Sequence, residues 1–129
     1  MLKKLHVALG LLLIATFLLT GQYMHHLYDH LNGMPDMSRA LFRAGHLYIL
    51  LFGLINLSLG TYLTPRANRA LVLQKLGSIV ICAASALCVY SFFSELPATE
   101  IERPFSRMSL YLIFLGVGSH YFASLKFTA

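Results

Sequence analysis

The feature that most constrains this chain is the placement of its charged residues, which leaves four long stretches without Asp, Glu, Lys or Arg. The stretches hold 24, 22, 19 and 18 residues. They lie between Lys4 and Asp29, Arg43 and Arg66, Lys75 and Glu95, and Arg107 and Lys126. About 20 apolar residues in a helix cross the roughly 30 Å hydrocarbon core of a bilayer. The pattern therefore predicts an all-α integral membrane protein that folds as an antiparallel four-helix transmembrane bundle.

The composition agrees with this fold class. Of the 129 residues, 57% are hydrophobic and 12% are charged, whereas soluble domains are roughly 45–50% apolar and 25% charged. We predict a single membrane domain, residues 1–129, with spans at about 5–24, 40–63, 71–93 and 107–126. The net charge of +5 follows from membrane topology, because no soluble fold is left to carry a basic nucleic-acid surface. We expect the lipid bilayer, and no nucleic acid, among its partners.

The same charges predict an orientation, because Lys and Arg accumulate on the cytoplasmic side of membrane helices. The N-terminus, the 64–75 hairpin and the C-terminus together carry six Lys or Arg and no acidic residue. The 25–43 and 94–107 connections carry four Lys or Arg and all five acidic residues. This pattern predicts a bacterial inner-membrane protein with both termini in the cytoplasm. The apolar run from Val7 to Leu19 has no Ala-x-Ala cleavage site after it, so we expect an uncleaved first helix.

Helix-breaking residues set the expected helix bounds. The first helix is expected to run from about Leu5 to at least Tyr23, and an extension to Leu31 is left open, because the Asn-Gly pair ending at Gly33 is a typical C-terminal stop. Pro65 is expected to end the second helix, and Pro104 to lie in the first turn of the fourth. Glycines and alanines within the spans predict close contact between neighbouring helices.

One segment on the outer side is rich in histidine and methionine. If the first helix reaches Leu31, His26 and His30 lie one turn apart on one face, a spacing that two metal-binding imidazoles use. Imidazole together with thioether suits copper, particularly Cu(I). The candidate metal ligands are His25, His26, His30, His46, Met34 and Met37.

Haem b held by two histidines is a second cofactor that the sequence leaves open. His46 lies about 10 Å inside the outer start of the second helix, at a depth similar to that of His25 or His26. His120 lies about 18 Å from the outer start of the fourth helix and is placed to meet His6 instead. The interpretation that we favour has no bound cofactor, because histidines at a membrane interface also serve as amphipathic side chains.

Two histidines within the spans, His46 and His120, are separate candidates. An ionisable group in lipid marks a functional site by default, because its charge is costly to bury. A neutral imidazole that is hydrogen-bonded to Asn56, Ser58 or Ser109 avoids the same cost without any function. We favour this structural interpretation for both histidines.

The sequence does not favour an enzyme. It has no Gly-rich phosphate loop, no nucleophile elbow, and no acidic residue within a predicted span. We expect a non-enzymatic accessory or partner-binding protein, whose partner is a larger membrane protein or a second copy of this chain. The first alternative is a metal-handling or redox protein that binds copper or haem b at its outer face. The weaker alternative is a small oligomeric transporter whose pore contains Gln22, Asn56 and the span histidines.

Overall fold

The computed structural model describes residues 1–95 and 102–125, and within them the chain is all-α. The helices are α1 (Leu2–Leu27), α2 (Asp36–Tyr62), α3 (Asn68–Glu95) and α4 (Pro104–Ser124). A short 3₁₀ turn, Asp29–Leu31, lies between α1 and α2. The predicted all-α fold class is confirmed.

Three of these helices, α1, α2 and α3, are long and apolar enough to cross a membrane, by length and composition. Helix α4 has 21 residues and does not meet the same criterion within the described part of the chain. The predicted fourth span, 107–126, also extends past the last described residue. Its crossing of a membrane stays a prediction.

Neighbouring helices run antiparallel and approach closely at glycines. Val7 at the start of α1 faces Gly60 at the end of α2, where an added Cβ would lie 2.8 Å from the Val7 backbone nitrogen. A Cβ on Gly77 of α3 would lie 2.9 Å from the carbonyl oxygen of Gly116 in α4. Real Cβ atoms do not fit at such distances, so these glycines permit the helix contacts. The predicted close packing through small residues is confirmed at these positions.

The four helices form two pairs. Packing is most extensive between α1 and α2 and between α3 and α4, whereas α2 and α3 meet over a smaller area and α1 touches α3. Apolar side chains fill the space between the pairs, among them Leu13, Ile49, Phe52, Ile81, Phe92 and Ile113. We call the end where α1 and α3 begin the terminal end of the bundle, and the other the opposite end.

The first helix passes Tyr23 as expected, but the extension to Leu31 does not occur. It ends at Leu27, and Asp29, His30 and Leu31 adopt left-handed φ angles of 44°, 55° and 66°. The Leu31 side chain is only 4% exposed and belongs to the core. Packing of Leu31 thus bends the chain into a tight turn, and this tertiary contact outweighs local helix propensity. The expected roles of the two prolines are confirmed, since α2 ends at Tyr62 before Pro65 and α4 starts at Pro104.

Candidate functional site

A cluster of four polar side chains joins all four helices towards the terminal end. It contains His6 of α1, Asn56 of α2, Ser78 of α3 and His120 of α4. None of the four is more than 5% exposed. We call these residues the buried polar cluster. Among the described residues, no other group of hydrogen-bonded side chains includes a member from each of the four helices.

Three hydrogen bonds connect the cluster into a chain. His6 Nδ1 lies 2.8 Å from Asn56 Oδ1, and His6 Nε2 lies 2.9 Å from Ser78 Oγ. Ser78 Oγ in turn lies 3.2 Å from His120 Nε2. These contacts place the single Ser78 hydroxyl between two imidazoles.

One assignment of protons satisfies this chain when both imidazoles are neutral. Asn56 Oδ1 can only accept, so His6 donates from Nδ1 and its Nε2 accepts the Ser78 hydroxyl proton. Ser78 Oγ then accepts from Nε2 of His120. Under this assignment His120 Nδ1 is a bare acceptor, and it is buried without a partner among the described residues. A hydroxyl that accepts from one imidazole while donating to another can also relay a proton between them.

The buried polar cluster agrees in part with the sequence predictions. The expected meeting of His120 with His6 is confirmed, because their ring centres lie 5.7 Å apart in an edge-to-face arrangement. Asn56 does bind an imidazole as expected, but that of His6. Ser78 was not singled out from the sequence. A usable signal was its spacing of seven residues from Ser85, which puts both serines on one face of α3 next to Asn56.

His46 belongs to a separate contact between α1 and α2. Its ring stacks on Phe17 with centres 4.0 Å apart, and its Nδ1 lies 2.9 Å from Thr20 Oγ1. Thr20 is five residues from His25, which is about 7.5 Å along the helix axis. These contacts give one nitrogen of the His46 imidazole a partner on α1, which is Thr20 and not one of the predicted metal ligands.

The outer histidines form an exposed group that we call the histidine turn, residues 25–31. His25 Nδ1 lies 3.2 Å from His30 Nδ1, and the His25 ring centre lies 4.5 Å from that of His26. The expected pairing of His26 with His30 required a continuous helix, and the left-handed turn brings His30 to His25 instead.

Contacts of Tyr28 with neighbouring aromatic residues anchor the histidine turn to the rest of the protein. The Tyr28 ring packs 5.0 Å from that of Phe42, and its hydroxyl lies 3.5 Å from that of Tyr23. This hydrogen bond raises the pKa of Tyr28 above its ordinary value. The other predicted ligands differ in exposure, because Met34 packs partly against the core and Met37 is 56% exposed. Among the described residues no three His, Cys, Asp or Glu side chains are grouped as a metal site.

Glu95 is a second polar residue whose role the sequence did not reveal. It is the last residue of α3 and is 8% exposed. Its carboxylate accepts hydrogen bonds from the Ser106 hydroxyl at 2.6 Å and from the backbone nitrogens of Ser106 and Phe105. These bonds cap the N-terminus of α4, where a negative charge is favourable. Nearby, burial lowers the pKa of Arg103, although attraction to Glu95 acts in the opposite direction.

Comparison with protein-family models, with curated proteins and with solved structures finds no match. The class of protein is therefore defined by the fold and by the buried polar cluster alone. The protein is a four-helix, all-α protein with three helices able to cross a membrane and a buried histidine-containing polar cluster.

Proposed function

We propose that this protein is a non-enzymatic accessory component of the bacterial inner membrane, which binds a larger membrane partner through its outer face. All four helices cross the membrane in this proposal, with both termini in the cytoplasm. The observation that carries it is the histidine turn, which is fixed to the core on one side and exposes chemically distinctive side chains on the other.

The histidine turn has the properties of a recognition surface. Buried Leu31 holds it in place, so little ordering is required when a partner binds. Its free side presents three imidazoles beside Leu27, which is 68% exposed. Three consecutive non-glycine residues with positive φ are unfavourable, and such backbone strain concentrates at functional sites. A displayed and pre-organised surface of this kind supports a binding role.

The charge distribution supports the proposed orientation. Lys3, Lys4, Arg66, Arg69 and Lys75 all lie at the terminal end, and the described acidic residues lie at the opposite end. Excess Lys and Arg favours the cytoplasmic side. A reporter fused after Ala129 is expected to be active in the cytoplasm, and activity in the periplasm would contradict the orientation.

Site-specific photocrosslinking tests the recognition surface. A photoreactive amino acid at position 26 is expected to give a discrete adduct with a larger membrane protein. The matched control is position 62, because Tyr62 is 82% exposed at the terminal end. Equal adducts from both positions, or no adduct from position 26 in intact cells, would contradict the proposal.

A metal-handling function is the second candidate, and the distance between His25 and His30 favours it. Two nitrogens bound to one transition-metal ion at about 2.0–2.1 Å lie roughly 2.9–3.4 Å apart for angles of 90–109°. The observed Nδ1–Nδ1 distance of 3.2 Å falls within that range. His26, Met34 or Met37 would complete the ligand set after a local rearrangement.

Elemental analysis after copper loading distinguishes this candidate. If the metal is bound here, His25→Ala removes near-stoichiometric copper, while His46→Ala retains it because His46 contacts Phe17 and Thr20 instead. Copper that survives His25→Ala, or a metal-free wild-type protein, would eliminate the candidate.

A further inference from the structure

A cavity of about 760 Å³ opens at the terminal end between the start of α1 and the first half of α3. Its volume lies within the roughly 300–1,000 Å³ that is typical of sites for small ligands. The cavity lies at the other end of the bundle from the histidine turn.

The walls of the cavity combine two kinds of side chain. Leu5, Leu71 and Ile79 belong to an almost wholly apolar lining. Lys3, Lys4 and Lys75 also line it, and all three are exposed. Lys3 and Lys4 lie in the first turn of α1, and Lys75 lies about two turns into α3. Ile79 and Cys82 lie further along α3, so the charges are nearer the terminal end than these two lining residues.

Within the described part of the chain, no acidic side chain balances the charge of this rim. None of the described residues that line the cavity is acidic. The described acidic side chains, Asp29, Asp36, Glu95 and Glu102, all belong to the opposite end. A ligand that complements the site is therefore anionic at the rim and apolar beyond it.

We propose that the cavity binds one anionic phospholipid, with its phosphate held by Lys3, Lys4 and Lys75 and an acyl chain against Ile79 and Cys82. Basic pockets between membrane helices on the cytoplasmic side recognise anionic headgroups in this way. Lysine ammonium groups attract phosphate as point charges on flexible stems, so the headgroup does not need a fixed geometry. The proposal requires no partner protein, and it can hold or fail independently of the histidine turn.

Ser78 connects the cavity to the buried polar cluster, because it lines the first and belongs to the second. A lipid in the cavity covers the side of the cluster where Ser78 meets His6. A ligand that binds only the folded protein raises its stability. Bound lipid is therefore expected to stabilise the contact between the two helix pairs.

Native mass spectrometry of the full chain in detergent tests the proposal with dioleoylphosphatidylglycerol as the probe. Wild-type protein is expected to retain one molecule, with at least tenfold preference over dioleoylphosphatidylcholine. Lys75→Gln and Ile79→Trp are each expected to weaken retention about tenfold, by removing a charge and by filling the cavity. Both positions are exposed, so neither substitution disturbs the core.

Matched controls separate this site from general attraction to lipid. Arg69→Gln removes one charge at the same end of α3, and Val72→Trp adds the same ring about two turns nearer the start of that helix; neither residue lines the cavity. Both variants are expected to bind as the wild type does. Equal losses in the controls, unchanged binding in Lys75→Gln and Ile79→Trp, or equal retention of phosphatidylcholine would overturn the proposal. Effective competition by inorganic phosphate would also overturn it, because a free-anion site needs no acyl chain.

Discussion

Five of the six histidines occupy two regions of this protein under opposite physical conditions. In the buried polar cluster, His6 and His120 are at most 5% exposed and bind polar groups from other helices. In the histidine turn, the imidazoles are exposed and His30 has a left-handed backbone. The buried imidazoles need hydrogen-bond partners within the protein, because water does not reach them. The exposed imidazoles of the histidine turn can form hydrogen bonds with water instead. The comparison teaches that the same side chain can link helices in one region and remain available for recognition in another.

The largest expected difference between the two regions is in stability. His6→Ala removes both hydrogen bonds of the imidazole and leaves space in the core, so we expect it to lower the free energy of unfolding by about 2–4 kcal/mol. His26→Ala in the histidine turn should change it by less than about 0.5 kcal/mol. Denaturant titration in detergent measures both values. Similar losses for the two variants would break the comparison.

Close packing beside the buried polar cluster provides the next test. Gly60→Ala places a Cβ 2.8 Å from the Val7 nitrogen, and overpacking of this kind costs about 1–3 kcal/mol. Gly118→Ala is the matched control, because a Cβ there meets nothing within 4 Å. The same titration should show a loss for the first variant and none for the second. Equal stability of both would mean that α1 and α2 can separate without cost.

Glu95 extends the comparison to a buried and an exposed carboxylate near the opposite end. Glu95→Ala leaves the first turn of α4 without its cap, and we expect a loss of about 1–2 kcal/mol in the free energy of unfolding. Glu102→Ala removes a neighbouring exposed carboxylate and should cost less than about 0.5 kcal/mol. Hydrogen exchange at the backbone amides of Phe105 and Ser106 should accelerate only in Glu95→Ala. Unchanged exchange in that variant would show that the cap is dispensable.

The smallest expected effect has the opposite sign. His30 has a φ of 55°, so His30→Gly relieves left-handed strain and should raise the free energy of unfolding by about 1 kcal/mol. Ala40→Gly in the regular helix α2 should lower it by about 1 kcal/mol. The two variants make the same kind of change in a strained and an unstrained backbone. A loss in both would show that the histidine turn stores no strain.

The sequence predicted the features that depend on long charge patterns and on chain breakers. The four helices, the effects of Pro65 and Pro104, and the meeting of His6 with His120 all follow from such signals. The left-handed turn after α1 did not, because the burial of Leu31 is a tertiary contact that local sequence does not encode. Ser78 and Glu95 were missed for a related reason. Their hydrogen-bond partners lie on other helices. A serine or a glutamate in one helix can form such bonds only after the helices have packed together.

The pairing of the helices also bears on how the protein is made. A ribosome delivers α1 and α2 first, and the bond from His6 to Asn56 can form within that hairpin. The bond from Ser78 to His120 can likewise form within the second hairpin. The bond from His6 to Ser78 must wait until the two hairpins meet, as must the bond from Asn56 to Ser85. During synthesis, therefore, one nitrogen of His6 stays without its final partner until α3 arrives, and the bond to Ser78 then joins the first hairpin to the second.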